Sequence, residues 1–265
     1  MACPAHLKKP ERAAALRFLI LATALILSLF CTPSQAEDYT VDPLQGFTMT
    51  DKVGFAFYRL INRDPPYLDW IKARDAYKEA VPKIRMDMLD HEQDHLRIGF
   101  ANYQLDRDLI MIKAPLLYTI IDNPDYSVYE AAREKSLTKR LQVRMPDNAV
   151  PYFPFQLGKM WIGVAPKDME QFAAIDMTDL EFKALCIKIL DCSNFKNKTV
   201  PTTIMLKALQ ADTKKPLMEG DLPVFVMLSD VAALYVRGSF GELLWSFTAP
   251  WYFNNKSQEL MVLHK

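Results

Sequence analysis

From residue 199 to the C-terminal end, apolar and polar residues alternate in short runs, and this alternation limits the fold more than any other feature. A period of two places successive side chains on opposite faces of an extended strand. Turn residues separate the runs at Lys215-Pro216, Ser229-Asp230 and Arg237-Gly238-Ser239. We therefore predict an antiparallel meander with strands at residues 202–209, 223–228, 231–236, 243–247 and 260–263.

The chain before this region has a different period, because apolar residues after position 47 follow helical spacing. Thr48 or Thr50 is suited to cap a first helix. Pro65-Pro66 ends that helix, since proline disfavours the α conformation in the residue before it. A second helix follows, and Pro82 restarts the chain into a third helix that is predicted to run to about Leu96.

The middle of the chain mixes both periods. Residues 96–100 and 109–112 resemble the two strands of a hairpin, and residues 141–144 and 160–164 read as further strands. Helices are expected at residues 129–135 and, in two pieces joined at 176–178, at residues 167–190. The predicted fold class is therefore α+β, with N-terminal helices followed by a largely antiparallel sheet with inserted helices.

Residues 1–36 have the three parts of a secretory signal peptide. Lys8, Lys9, Arg12 and Arg17 make a basic start, residues 18–31 are apolar or small, and Ser34-Gln35-Ala36 supplies small residues at the cleavage positions. The apolar run has about 14 residues, fewer than the ~20 that a membrane-spanning helix needs. We predict cleavage after residue 36, no transmembrane anchor after cleavage, and a periplasmic or secreted protein with a single domain at residues 37–265.

Net charge narrows the class of partner. Removal of residues 1–36 would leave 28 basic and 31 acidic residues, which gives a formal charge of about −3. Nucleic acids attract proteins with an excess of basic over acidic residues, and this chain has no such excess. We therefore expect no nucleic-acid partner. The partner of such an exported chain is expected to be an envelope protein or ligand whose identity the sequence does not give.

Two cysteines, Cys186 and Cys192, would remain in the exported chain. An even number of cysteines in a protein bound for an oxidising compartment predicts a disulfide. Five residues separate the pair, so it does not match a redox C-x-x-C motif. We predict a structural disulfide between Cys186 and Cys192, with two buried thiols as the alternative.

One segment matches a catalytic pattern: His91-Glu92-Gln93-Asp94-His95 has the form H-E-x-x-H. Residues four apart share a helix face, so His91 and His95 would bind Zn²⁺ while Glu92 acts as general base. A zinc-dependent peptidase or amidase is therefore the alternative function. A downstream zinc ligand is missing, because residues 113–121 contain no carboxylate. The leading interpretation is a solvated or salt-bridged helix end without catalytic residues, metal or cofactor, in which Arg85 is the candidate partner of Glu92.

Trp251, Tyr252 and Phe253 form the best candidate for a binding surface. They follow Pro250 in an Asn-rich segment that we expect to be an exposed loop. Aromatic side chains give a large contact area at a low entropic cost. Without a convincing catalytic set, the sequence favours a non-catalytic envelope binding or accessory protein of unknown biochemical activity. It would contact its partner through the sheet or through this loop.

Overall fold

The computed structural model describes residues 44–122, 137–189 and 198–253, and within these ranges helices precede strands along the chain. The first four helices are α1 (Met49–Leu60), α2 (Tyr67–Ala73), α3 (Asp75–Glu79) and α4 (Pro82–Asn102). A mixed and mostly antiparallel sheet follows, with one more helix inserted in it. This order confirms the predicted α+β class.

Helix α1 begins where the sequence predicts it, at Thr48. The Thr48 hydroxyl accepts a hydrogen bond from the backbone N–H of Asp51 at 3.1 Å, and the Asp51 carboxylate accepts one from the backbone N–H of Thr48. This reciprocal pair satisfies two N–H groups that lack a partner within the helix. The helix ends at Leu60, just before Asn62 adopts a left-handed φ of 52°.

Helix α4 is longer than predicted. The expected strand at residues 96–100 is wrong, because the helix continues to Asn102. Leu96 and Phe100 are buried with helical spacing, while Ile98 between them is 58% exposed. The Arg59 guanidinium donates hydrogen bonds to the carbonyls of Phe100 and Ala101 at 2.6 and 2.8 Å. These bonds satisfy carbonyls in the last turn, which otherwise lack partners.

The strands that match predicted ones are longer than the sequence indicates, and three others in the described ranges were not predicted. The strands of these ranges are β1 (Ile110–Asp122), β2 (Lys139–Arg144), β3 (Phe153–Leu157), β4 (Met160–Pro166), β5 (Ala173–Met177), β6 (Lys198–Ala211), β7 (Leu217–Glu219), β8 (Leu222–Arg237) and β9 (Leu243–Thr248). Those that were not predicted are β3, β5 and β7. Helix α5 (Asp179–Ile189) lies between β5 and β6. The predicted helix at the start of residues 167–190 is wrong, since Ala173 and Met177 are buried with a period of two in β5.

The strand order in the sheet is β3-β4-β8-β6-β1-β2-β5, and β7 and β9 also pair with β8. All pairs are antiparallel except β4 with β8. The turn predicted at Ser229-Asp230 is wrong, because β8 passes through it without a break. Ser229 is fully buried, and its hydroxyl donates to the carbonyl of Ala165 at 3.1 Å. A polar side chain in mid-strand therefore joins β8 to β4.

Helix α1 packs against the sheet and forms the centre of the core. Phe55 and Phe57 are buried with residues of β6 and β8 such as Leu206 and Leu234. Gly54 lets α1 approach α2, since a Cβ there would lie 2.4 Å from the Trp70 ring. We use the word body for α1, α2 and the nine strands.

Several predictions concern residues outside the described ranges. They are the signal peptide at residues 1–36, the helix at 129–135, Cys192 and the strand at 260–263. The cleavage site and the domain bounds stay predictions. Among the described residues, no helix combines the length and the apolar character needed to cross a membrane.

Candidate functional site

The H-E-x-x-H segment is helical as predicted, but it lies in the middle of α4 and not at a helix end, because the helix continues to Asn102. His91 and His95 are exposed and Glu92 is half-buried. The three side chains therefore differ in their surroundings although they share one face of the helix. Their contacts decide what the segment does.

Glu92 belongs to a charged network that joins three helices. The Arg74 guanidinium donates to the Glu92 carboxylate at 2.8 Å and to the Asp51 carboxylate at 2.8 Å. Asp51 is only 5% exposed, so its charge requires this pairing. Arg74 lies between α2 and α3, Asp51 in α1 and Glu92 in α4. The network thus attaches α4 to the body.

The predicted partner of Glu92 is wrong, because Arg74 takes the place that the sequence assigned to Arg85. Arg85 instead donates hydrogen bonds to the carbonyls of Tyr77 and Lys78, and its guanidinium lies 5.6 Å from the centre of the Tyr77 ring. These contacts join the end of α3 to the start of α4. The two arginines therefore make separate contacts. Arg74 binds Glu92 in the middle of α4, and Arg85 joins the N-terminal part of α4 to α3.

His95 packs against an aromatic ring from the segment before α1. The Phe47 and His95 rings are stacked, with centroids 4.2 Å apart and planes 17° apart. Gly99 lies one turn later, and a Cβ there would come within 2.3 Å of the Phe47 ring. Phe47 also meets Phe55 of α1 edge to face at 5.3 Å. His95 and Gly99 thus form the surface on which the Phe47 ring packs, and this contact attaches α4 to the core.

These contacts bear on the zinc hypothesis. Two of the three motif side chains already contact the protein, since Glu92 pairs with Arg74 and His95 stacks on Phe47. Within the described ranges there is no group of three or more His, Cys, Asp or Glu side chains able to hold a metal ion. A zinc site with His91 and His95 as ligands would need a third protein ligand from elsewhere. The zinc enzyme stays a prediction that the described geometry does not favour.

The part of α4 that carries the motif is unusually exposed. Helix α3 buries no side chain, and α4 buries only Leu96, Gly99 and Phe100, all after the motif. We call residues 75–95 the arm. Tyr77 and Leu89 are half-buried against the core. Among the described residues, no other helix has so long a stretch without a buried side chain.

Large apolar side chains lie on the exposed surface of this arm. Val81, Ile84 and Met86 are 57%, 51% and 70% exposed. Scattered apolar residues are normal on protein surfaces, but Val81 and Ile84 lie one turn apart, and neighbouring exposed apolar residues mark a site of interaction. Because each is about half exposed, covering one of them would yield on the order of 1–2 kcal/mol. The arm therefore has the composition of a docking element.

A cleft of about 820 Å³ lies beside the base of the arm. The N-terminus of α1, helix α2 and the β3–β4 turn line it with both charges; its basic side chains are Lys72, Arg74, Lys78 and Lys159, and its acidic ones Asp51, Asp69 and Asp75. Arg74 and Asp51 are already paired in the network described above. A polar ligand in this cleft would contact the residues that hold the arm in place.

The aromatic group near the C-terminal end differs in structure from the prediction. Residues 250–253 are helical rather than a loop. Trp251 and Tyr252 are half-buried and meet edge to face at 5.8 Å, and the Lys207 ammonium lies 5.8 Å from the Trp251 ring. Phe253 is 62% exposed. Packing against the sheet leaves Phe253 as the accessible member, and the binding role of the three residues stays a prediction.

Cys186 lies in α5, in the half-buried part of that helix. Cys192 lies outside the described residues, so the predicted disulfide between them stays a prediction.

Sequence reasoning missed two residues that organise this region, Arg74 and Phe47. Arg74 meets Glu92 and Asp51 across separations of 18 and 23 positions, which no helical spacing rule connects. Asp51 itself did carry a signal, because an acidic residue three positions after Thr48 completes a capping box. Phe47 carried none, since its partner His95 is brought to it only by the fold.

Comparisons with protein-family models, with curated proteins and with solved structures found no match to this chain. Functional inference therefore depends on the geometry described above.

Proposed function

We propose that the chain is an exported, non-catalytic binding or accessory protein that docks a protein partner through the arm. Export is supported by the predicted signal peptide at residues 1–36, and an envelope or secreted location follows from it. The observation that carries the docking role is the arm, which has no buried side chain and exposes Val81 and Ile84 one turn apart.

The attachment of the arm supports this proposal. Arg74 fixes its base through two charged hydrogen bonds, and Arg85 joins α3 to α4. A surface that is held in one conformation loses little entropy on binding, so more of the contact energy appears as affinity. The arm is thus both exposed and pre-organised. The exposed apolar residues of the arm are the reason for proposing it as the contact, in place of the sheet or the Trp251 segment that the sequence favoured.

Site-specific photo-crosslinking in cells that export the full chain tests this function. A photoreactive residue at Val81, 57% exposed and one turn before Ile84, is compared with one at Phe240, 97% exposed in the β8–β9 turn. We expect a discrete protein adduct from position 81 that is absent from position 240. The adduct should disappear when Ile84→Asp is added, because a charge in an apolar contact is costly.

Controls separate loss of binding from loss of folding. The Ile84→Asp chain should keep the circular dichroism spectrum and the urea midpoint of the unmodified chain, since Ile84 is exposed. The same adducts from both positions, or none from position 81, would contradict the docking role of the arm. An adduct that survives Ile84→Asp would place the contact elsewhere.

A further inference from the structure

One side of α4 carries a stripe of apolar and aromatic residues that continues beyond the arm. Ile84, Met88, His91 and Ile98 are separated by four, three and seven positions, so at 3.6 residues per turn they fall within an arc of about 80°. Ile84 and Ile98 are 51% and 58% exposed. They lie fourteen residues apart, which corresponds to about 21 Å along the helix. We call these four residues the stripe.

A ridge of negative charge runs beside the stripe. Asp87, Asp90 and Asp94 follow one another at three and four positions and fall within an arc of about 60° on the outer side of α4. Arg97 approaches Asp94 at 3.9 Å, in an exposed pair. Asp87 and Asp90 form no ion pair with another described residue. Lys83, one turn before Asp87, is the basic residue that shares this side of the arm.

From this juxtaposition we infer that the partner contributes an amphipathic helix whose apolar face is bordered by lysine or arginine. The inference rests on the proposed docking function and names the chemistry of the partner. Separations of four, three and seven keep the stripe on one side of α4, as in two helices that pack side by side. Basic residues bordering that face would meet Asp87, Asp90 and Asp94 and set the orientation of the contact.

A second copy of this chain fits the surface less well. Two copies packed through the stripe would bring one acidic ridge close to the other, and like charges across an interface are unfavourable. His91, in the middle of the stripe, would also meet its own copy or an apolar residue. Charge complementarity therefore favours a different, basic partner over self-association.

Three synthetic peptides of 21 residues test the inference against the purified full chain, with binding measured by fluorescence anisotropy at low salt. The first has leucines at spacings of three and four bordered by lysines, and the second has the same leucines bordered by glutamates. The third is a scrambled version of the lysine peptide without the leucine stripe. We expect the lysine peptide to bind at least about tenfold more tightly than either of the others.

Charge reversal on the arm provides the matched test. Asp87→Lys/Asp90→Lys should reverse the preference toward the glutamate peptide, because it replaces two attractive contacts by repulsive ones. Glu170→Lys/Asp221→Lys changes the net charge equally at two exposed positions away from the arm and should leave the preference unchanged. Added salt should reduce the difference between the lysine and glutamate peptides, since exposed charges are screened.

The outcomes are distinguishable from those of the crosslinking experiment. Equal binding of the lysine and scrambled peptides, or no binding of either, would overturn the inferred partner chemistry, while an adduct at position 81 would still support docking through the arm. Concentration-dependent dimers that Asp87→Lys abolishes or strengthens in sedimentation would identify a second copy as the occupant and overturn it too. A lysine preference unchanged by the arm reversal would place the peptide elsewhere and likewise overturn it.

Discussion

The body and the arm use apolar residues in opposite ways. Helix α1 has 12 residues and buries Val53, Phe55 and Phe57 almost completely against the sheet. Residues 82–95 of α4 form a longer stretch with Ile84, Met86 and Met88, and none of them is buried. Apolar content alone therefore does not decide whether a helix enters the core. Whether a helix enters the core depends on how its apolar residues are arranged around it and on whether another element offers an apolar surface for them to pack against.

The forces that hold the two regions also differ. The body depends on burial of a continuous core that spans α1 and the central strands β1, β6 and β8. The arm depends on a few polar and aromatic contacts at its base, namely the Arg74 network and the Phe47–His95 stack. We therefore expect the body to set the global stability, while the arm opens locally at a lower free energy.

The largest expected difference comes from removing one aliphatic side chain in each region. Leu206→Ala in β6, where Leu206 is fully buried, should lower the free energy of unfolding by about 2–5 kcal/mol. Ile84→Ala on the arm should change it by less than about 0.5 kcal/mol, because Ile84 is exposed and alanine favours the helix. Urea denaturation followed by circular dichroism measures both values. A loss of 2 kcal/mol or more in Ile84→Ala would show that the arm is part of the core.

Alkaline pH should weaken the body through Tyr118 in β1. Burial raises the pKa of Tyr118 to about 12, and its hydrogen bond with Thr202 lowers that pKa by a smaller amount. Because the folded pKa lies above the usual value of 10, the contribution is complete below pH 10 and is lost as the pH rises toward 12. The loss is on the order of 2–3 kcal/mol for this group.

Urea midpoints measured from pH 8 to pH 12 test the role of Tyr118. The unmodified chain should lose stability above pH 10, and Tyr118→Phe should lose less over the same interval because it has no phenol to ionise. Thr202 keeps a second hydrogen bond, to the carbonyl of Val200 at 2.9 Å, so the variant should fold at neutral pH. Identical pH profiles for the two chains would mean that Tyr118 does not contribute.

Loss of Arg74 should affect the junction between the two regions. Arg74→Met leaves the carboxylates of Asp51 and Glu92 without their cation, and Asp51 is nearly buried. Removing one partner of a fully buried pair costs about 3–5 kcal/mol; because Arg74 is one-third exposed, we expect about 1–2 kcal/mol. Amide hydrogen exchange should increase in residues 75–95 more than in β6.

A second variant separates the charge effect from the loss of packing. Arg74→Met combined with Asp51→Asn removes the uncompensated buried charge, so part of the lost stability should return. Exchange in the arm should remain fast in this double variant, because Glu92 still lacks its partner. A uniform increase of exchange across arm and body would indicate global destabilisation and would contradict a junction role for Arg74.

The comparison also explains which parts of the fold the sequence could reveal. Helix α1 was predicted because its cap, apolar face and following prolines all agree, and β9 because its apolar residues lie between turn residues and alternate with polar ones from Trp245 to Thr248. The alternation of Leu96, Ile98 and Phe100 was misleading, since the end of α4 is stabilised by Arg59 from another helix. Local sequence patterns predict a helix or strand whose ends are stabilised by residues close in sequence. They fail where a residue distant in sequence supplies the stabilising hydrogen bonds.

The same reasoning applies to the candidate site. The sequence located the helix that carries His91, Glu92 and His95, and it predicted that an arginine pairs with Glu92. The predicted partner was Arg85, which lies two turns before Glu92 on the same helix, because helical spacing rules identify only partners that are close in sequence. Arg74 reaches Glu92 only because α2 packs against α4. Exposure of the arm was equally hidden, since apolar residues such as Ile84 and Met86 indicate burial when read from sequence alone.

The smallest expected effect distinguishes the two histidines of the motif. His95→Ala removes the ring stacked on Phe47 and should cost about 0.5–1 kcal/mol of stability. His91→Ala should cost nothing measurable, because His91 is exposed and no hydrogen bond or ion pair joins it to another described residue. Zinc content, measured by mass spectrometry on protein purified without a histidine tag, should be far below one atom per chain in both variants and in the unmodified chain. A shared zinc ligand role would instead give about one zinc per unmodified chain and its loss in each variant, since both imidazoles would be ligands. The unequal stability effects expected here follow from packing alone, because only His95 lies where the arm meets the body.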